Sequence, residues 1–212
     1  MMKLYGYPKT RSTRVVWTME EIGLEYEYVK TSPLRGARRS SYLELNPGAK
    51  VPTLVDGELV LSESAAICTY LADKYPDACL VPKPRTVERA LYDKWCFFVM
   101  TELEQPLWTI FKHQFILPKK WRVSDIIDTA LWEFSEVAKV LNIGLGNNEF
   151  IVGGHFSVAD ILVAQTLNFA TAVNVSIEPE PLKAYAKRML SRSALARAIE
   201  REGQSKIGFF LT

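Results

Sequence analysis

Cysteine is scarce in this chain, with three among 212 residues (Cys68, Cys79 and Cys96). A sparse, odd-numbered set builds no disulfide framework and suits a reducing compartment, so a cytoplasmic location is expected. Histidine is scarcer still. His113 and His155 lie far apart in sequence with no cysteine at ligand spacing, so no metal is expected. An excess of charge of one sign is also missing: 26 basic side chains stand against 24 acidic ones. That balance gives no electrostatic reason to bind nucleic acid or an anionic membrane. No apolar run approaches the length of a bilayer. The opening MMKLYGYPKTRSTR lacks the apolar block of a signal peptide, so the acceptor pattern Asn174-Val175-Ser176 carries no weight as a glycosylation site. Gly144-Leu145-Gly146-Asn147 follows a helical pattern and lacks the third glycine of a dinucleotide fingerprint.

What remains is an ordinary globular composition, 48% hydrophobic and 24% charged, long enough for one large domain or two modest ones. The first eighty residues alternate between strand and helix patterns. Lys3 to Tyr7 reads as a strand and Arg11 to Gly23 as a helix, with Val15, Met19 and Ile22 at helical spacing. Tyr26 to Lys30 reads as a second strand, and a short helix ends at Asn46-Pro47-Gly48. Thr53–Val55 and Leu59–Leu61 form a hairpin about Asp56-Gly57, and a helix from Glu63 to Tyr75 stops at Pro76. The order β-α-β-α-β-β-α predicts a parallel first pair and an antiparallel hairpin. Pro76, Pro82 and Pro84 mark an aperiodic linker, and everything beyond it reads as helical. Val123–Asn142 is expected to bury Ile127, Leu131, Phe134, Ala138 and Leu141. The preceding helix is expected to break near Pro106. The expected organisation is therefore an α/β domain over residues 1–78, a linker over 79–86 and an all-helical domain over 87–212.

The stretch NPGAKVPTLVDGELVLSES, residues 46–64, concentrates the chemistry. Pro52 cannot donate to a sheet, so it lies at an edge, at a strand start or in a special turn such as a cis Val51–Pro52 bond. An edge left open there can pair with an extended peptide. Glu63-Ser64 falls at a helix start, where free N–H groups favour a carboxylate. The simpler alternative is a trans proline opening an edge strand, with Ser62 as helix cap and Glu63 complementing the dipole.

The string Asn46-Pro47-x-x-Lys50-Val51-Pro52-x-Leu54, the Asp-Gly hairpin, Glu63-Ser64, the helical second half and the helix-start box Ser157-Val158-Ala159-Asp160 together resemble a cytosolic glutathione S-transferase. The likeness runs over essentially the whole chain and implies a thioredoxin-like N-terminal domain that binds glutathione. It implies that the Val51 backbone, beside Pro52, pairs with the cysteinyl unit. Glu63 would take the γ-glutamyl ammonium and Ser64 its carboxylate, Lys50 would lie along the ligand backbone, and Arg38 or Arg39 would approach the glycine carboxylate. In this family a Tyr, Ser or Cys soon after the first strand activates the thiol. No cysteine stands in Tyr7-Pro8-Lys9-Thr10-Arg11-Ser12-Thr13. Thr10 matches the serine-type register most directly, with Ser12 next and Tyr5 or Tyr7 behind. The second substrate, a small hydrophobic electrophile, would sit between the domains against Trp108, Phe111, His113 and Phe115, residues that taken singly better suit an interhelical core.

The implied activity is conjugation of glutathione to an electrophile, as in detoxification. The same site residues would serve a glutathione-dependent isomerase or peroxidase, and a non-catalytic glutathione-fold scaffold would keep them too. A homodimer is implied. The helix from Val87 agrees with it, because Leu91, Tyr92, Trp95, Phe97 and Phe98 spread apolar surface over more than one face.

Overall fold

The computed structural model describes residues 1–203. They form two compact units. One comprises Met1–Ala78 together with the stretch that begins at Ser191, and the other comprises Cys79–Leu190. No helix among the described residues is long and apolar enough to cross a membrane.

The first unit is a thioredoxin-like α/β fold. Its elements are β1 (Met2–Gly6), α1 (Ser12–Ile22), β2 (Tyr26–Lys30), α2 (Ser40–Leu43), β3 (Thr53–Asp56), β4 (Leu59–Ser62) and α3 (Ser64–Lys74). The order and both strand pairings agree with the sequence reading. The sheet runs β2-β1-β3-β4, with β1 and β2 parallel and the other two pairs antiparallel. Crossover helix α1 is buried almost all round from Ser12 to Met19 and stops where Gly23 turns left-handed and donates to the Met19 carbonyl at 2.9 Å. Leu4, Leu54, Val15, Trp17, Ile67 and Leu71 make a fully buried core.

The last described helix, α9 (Ser193–Glu202), packs on α1, whereas the reading from sequence placed it with the helical domain. Ala194, Leu195 and Ala198 bury its apolar stripe. Polar contacts fix its register: Arg192 grips Glu21 with a pair of bonds at 2.6 and 3.0 Å, and Arg197 donates to the Glu20 carbonyl at 2.8 Å. Amphipathic periodicity says which face of a helix is apolar but not which neighbour covers it, so sequence alone left this helix with its chain neighbours.

The second unit is all-helical: α4 (Val87–Phe98), α5 (Glu104–Phe111), α6 (Ile126–Leu145), α7 (Val158–Ala172) and α8 (Glu180–Leu190). Thr86 caps α4 by accepting from the Arg89 N–H at 3.1 Å. The break expected near Pro106 is a widened π turn over Val99–Leu103, just before α5. A proline lacks the N–H for its own helical bond and its ring crowds the carbonyl four residues back, which displaces the preceding turn. Helix α6 starts three residues later than expected, at Ile126, and the Val123 N–H ahead of it donates to His113 Nδ1 at 3.0 Å. Its buried stripe runs through Ala130, Phe134, Ala138 and Leu141, with Leu131 turned outward. Gly144 lets α6 touch the Trp95 ring directly, since a Cβ there would lie 2.1 Å from the indole.

The box at Ser157 forms as read. Asp160 accepts from the Ser157 N–H at 2.9 Å and the Ile151 N–H at 2.8 Å, and Tyr185 OH donates to it at 2.7 Å. A carboxylate fully out of solvent holds two backbone segments and two helices together.

Candidate functional site

Sheet register brings the candidate residues of the first unit to one end. Tyr5 pairs with Thr53, and Thr53 with Ser62, so the end of β1, the start of β3 and the end of β4 lie in one row. The loop through Thr10 and Ser12, the turn through Val51 and Pro52, and the pair Glu63-Ser64 all leave the sheet there. Because β1 and β2 are parallel, the segment after Lys30, which leads to Arg38 and Arg39, departs from the same end.

In the first of these loops Thr10 is half-buried and Ser12 fully buried. Ser12 Oγ accepts from the Tyr7 N–H at 3.2 Å, and the Ser12 N–H donates to Thr10 Oγ1 at 3.1 Å. Thr10 Oγ1 has one proton, and two acceptors lie in reach, the Tyr7 carbonyl at 2.7 Å and Ser12 Oγ at 2.9 Å. Ser12 therefore braces the loop, while Thr10 keeps one exposed side.

The second segment carries a cis Val51–Pro52 bond, with Pro52 buried and Lys50 exposed. Two residues that sequence reasoning left without a role hold it. Tyr42 OH lies 2.5 Å from the Lys50 carbonyl and 2.8 Å from Thr53 Oγ1. Asn46 Nδ2 donates to both of the same acceptors, at 3.0 and 3.1 Å, while its Oδ1 accepts from the Gly48 N–H. Burial pushes the Tyr42 phenol above its ordinary pKa, so it stays a neutral hydroxyl. The Asn46-Pro47-Gly48 signal marks this turn in sequence; the clamp itself needs the fold.

Glu63 takes φ 69° and ψ 111°, a conformation that costs a residue with a Cβ about 1 kcal/mol or more. Its side chain is exposed, and it hands the chain to α3, whose first residue, Ser64, is 2% exposed. Ser62 does not cap the helix; it belongs to β4. Behind Ser64 lies Arg14 of α1, completely buried, with Nη1 3.4 Å from Ser64 Oγ. Periodicity alone would place an arginine on the outer face of α1, so Arg14 had no signal in sequence.

Next to this loop, Thr13 Oγ1 donates to the buried Glu202 carboxylate of α9 at 2.9 Å. Burial pushes Glu202 up to about 7, against the hydrogen bond of Thr13 and the charge of Lys30. Arg38 ends a single 3-10 turn, Gly36–Arg38, and both it and Arg39 are exposed.

The aromatic candidates lie in the second unit. Phe111 is buried and stacks between Trp108 and Phe115 at ring distances of 5.8 and 5.5 Å, with Phe169 of α7 edge-on at 5.6 Å. Phe111 is thus interhelical core. Trp108 and Phe115 remain half-buried beside it. His113 is a local cap, through its bond from Val123.

Comparison with known proteins gives a consistent picture. A family model described as the glutathione S-transferase N-terminal domain matches residues 1–73, and the corresponding C-terminal domain model matches residues 105–193. The chain is 32% identical over 184 residues to glutathione S-transferase 2 of Anopheles gambiae, covering 84% of this chain and 85% of the relative. It is 29% identical over 208 residues to the disulfide-bond oxidoreductase YfcG of Escherichia coli (strain K12), covering 94% of each. A solved sphingomonad glutathione S-transferase, complexed with glutathione, superposes with a TM-score of 0.84 at 26% identity, over 96% of this chain and 100% of that one.

Proposed function

Because the chain belongs to the glutathione S-transferase family, we propose that it ionises the thiol of glutathione and conjugates it to a small hydrophobic electrophile, a detoxifying reaction in the cytoplasm. The observation that carries this reading is the row Tyr5–Thr53–Ser62, which gathers the thiol-side loop, the Val51 edge and the Glu63-Ser64 helix start at one end of the sheet. A tripeptide laid along that end would pair its cysteinyl backbone with Val51. Its γ-glutamyl ammonium would meet Glu63 and its carboxylate Ser64, with Lys50 and Arg38 or Arg39 toward the glycine end.

A free thiol near pKa 8.5 is only a few per cent ionised at neutral pH. Thr10 is the activating hydroxyl in this reading, because Ser12 is fully buried and already engaged by the Tyr7 N–H. The Thr10 proton rests on the Tyr7 carbonyl or on Ser12 and swings to sulfur when the anion forms, since hydroxyl rotors turn freely. The thiolate then attacks the electrophilic carbon, forming a C–S bond as the leaving group departs with its electron pair.

The likeness to the disulfide-bond oxidoreductase over 94% of both chains favours a second reaction of the same thiolate. Attack on a disulfide sulfur forms a glutathionyl mixed disulfide and releases the other sulfur as a thiolate. The thiol loop carries no protein cysteine, so each sulfur in this exchange belongs to glutathione or its substrate.

A glutathione-affinity column followed by turnover with an activated aryl chloride and, separately, with a small dialkyl disulfide tests the reading. Retention with aryl conjugation supports the transferase. Retention with disulfide exchange alone makes it an oxidoreductase, and retention without turnover makes it a scaffold. Failure to bind glutathione overturns the reading altogether. The protein is also proposed to be a homodimer, because Val87, Leu91 and Phe97 of α4 stand 72%, 44% and 70% exposed. A monomer in sedimentation at micromolar concentration would refute that.

A further inference from the structure

We propose that Arg14 is a positioning residue for glutathione: from behind Ser64 it orients the serine hydroxyl toward the γ-glutamyl carboxylate and lends that carboxylate a permanent positive charge. The inference rests on the reading that Ser64 receives this carboxylate.

Both residues are out of solvent, Arg14 at 0% and Ser64 at 2% exposure, with Nη1 and Oγ 3.4 Å apart. A guanidinium has only donors, so in this pair the Ser64 oxygen must accept. A hydroxyl carries a single proton, and Arg14 leaves that proton pointing away from itself. Ser64 is the first residue of α3, where the N–H groups of the first turn have no partner inside the helix. An arriving carboxylate therefore meets a backbone N–H, a hydroxyl already turned to donate, and a cation behind it.

The charge of Arg14 also reaches the next turn of α3. Burial pushes the Cys68 thiol, one turn beyond Ser64, up to about 12, while a hydrogen bond with Thr18 and the charge of Arg14 work against that rise. Arginine, unlike lysine or histidine, keeps its charge when buried. Glu63, exposed at the residue just before the helix, supplies the opposite sign for the ammonium. A zwitterionic amino-acid head is thus matched by an acid at the surface and a base beneath it.

The test compares three tripeptides by calorimetry: glutathione, the analogue in which γ-aminobutyrate replaces the γ-glutamyl residue and the α-carboxylate is absent, and the glutaryl analogue without the amine. The wild type should bind the carboxylate-free analogue at least about tenfold more weakly than glutathione. Arg14→Gln keeps a donor but loses the charge, and should lose most of that discrimination while still rejecting the amine-free analogue. Arg14→Lys keeps the charge and should retain most of it. In steady state Arg14→Gln should raise KM for glutathione about tenfold with kcat changed less than about twofold, a split that a merely structural defect would not produce. Wild-type discrimination retained in Arg14→Gln overturns the proposal. So does a wild type that binds glutathione and the carboxylate-free analogue equally, a measurement that needs no variant to fold. A wild type that binds none of the three instead overturns the glutathione site itself.

Discussion

In the sheet-bearing unit the buried polar side chains include Ser12, Arg14, Asn46, Thr53 and Ser64, and they stand directly behind the loops at one end of the sheet. In the helical unit Ser157 and Asp160 are buried at a helix start and bond to protein groups on every side. Burying a polar group costs free energy unless it is paired. Both units repay that cost within their own chain, since Ser12, Asn46, Thr53 and Ser64 are also hydrogen-bonded to protein groups, but in the sheet-bearing unit they lie next to the loops of the proposed glutathione site. On the proposed reading, buried polarity serves stability in one region and recognition in the other, and perturbing each region should show the difference.

Asp160→Ala tests the helical side and should have the largest effect. It strands the Ser157 and Ile151 N–H groups and the Tyr185 hydroxyl, and should destabilise by about 3 kcal/mol or more in denaturant titration. Glutathione affinity of the folded fraction should hold. A loss below about 1 kcal/mol would break the comparison.

Glu202 lies between the two behaviours, a buried carboxyl of α9 that accepts from Thr13 at the start of α1. A glutamate with an ordinary value of 4.5 and a folded value of about 7 binds its proton more tightly in the native state. Its contribution is therefore complete below pH 4.5 and is lost as pH rises to about 7, by at most about 3 kcal/mol. Glu202→Gln should flatten this part of the stability–pH curve. An unchanged slope between pH 5 and 7 would show that burial does not hold the proton.

On the recognition side, Glu63→Ala should weaken glutathione binding about ten- to a hundredfold, as a charge-assisted pair is worth about 1.5–3 kcal/mol. Glu63→Gly removes the same carboxylate but suits the φ of 69°, so it should be more stable than the alanine variant while binding equally weakly. If the two variants bind differently, backbone geometry rather than charge governs this position. Thr10→Ala should have the smallest effect. It should raise the thiol pKa of bound glutathione by about one unit or less, seen as lost thiolate absorbance, because the hydroxyl must leave the Tyr7 carbonyl to serve sulfur.

Local rules carried the sheet-bearing unit far. Gly23, Asp56-Gly57 and Pro76 punctuate it, and the resulting strand order needs only the usual handedness of a crossover to follow. The Ser157 box was legible for the same reason, since its partners lie three residues apart. Contacts between distant segments were not legible. Tyr42 and Asn46 reach Lys50 and Thr53 only after the chain has turned, and Arg14 meets Ser64 across fifty positions of sequence. The packing of α9 on α1 is of the same kind. Phe111 illustrates the converse, an aromatic whose residue type suits a ligand wall or a core until Phe169 is seen against it.

The contact between Gly144 and the Trp95 indole has a consequence for how this chain can diverge. With a Cβ at 144 only 2.1 Å from the ring, neither backbone nor a rigid bicyclic side chain can yield enough to admit even alanine. A lineage can abandon the tryptophan first and then explore position 144, but not in the reverse order. The two sites should therefore be inherited as a pair, and the fitness of a substitution at 144 read in one background says little about the other.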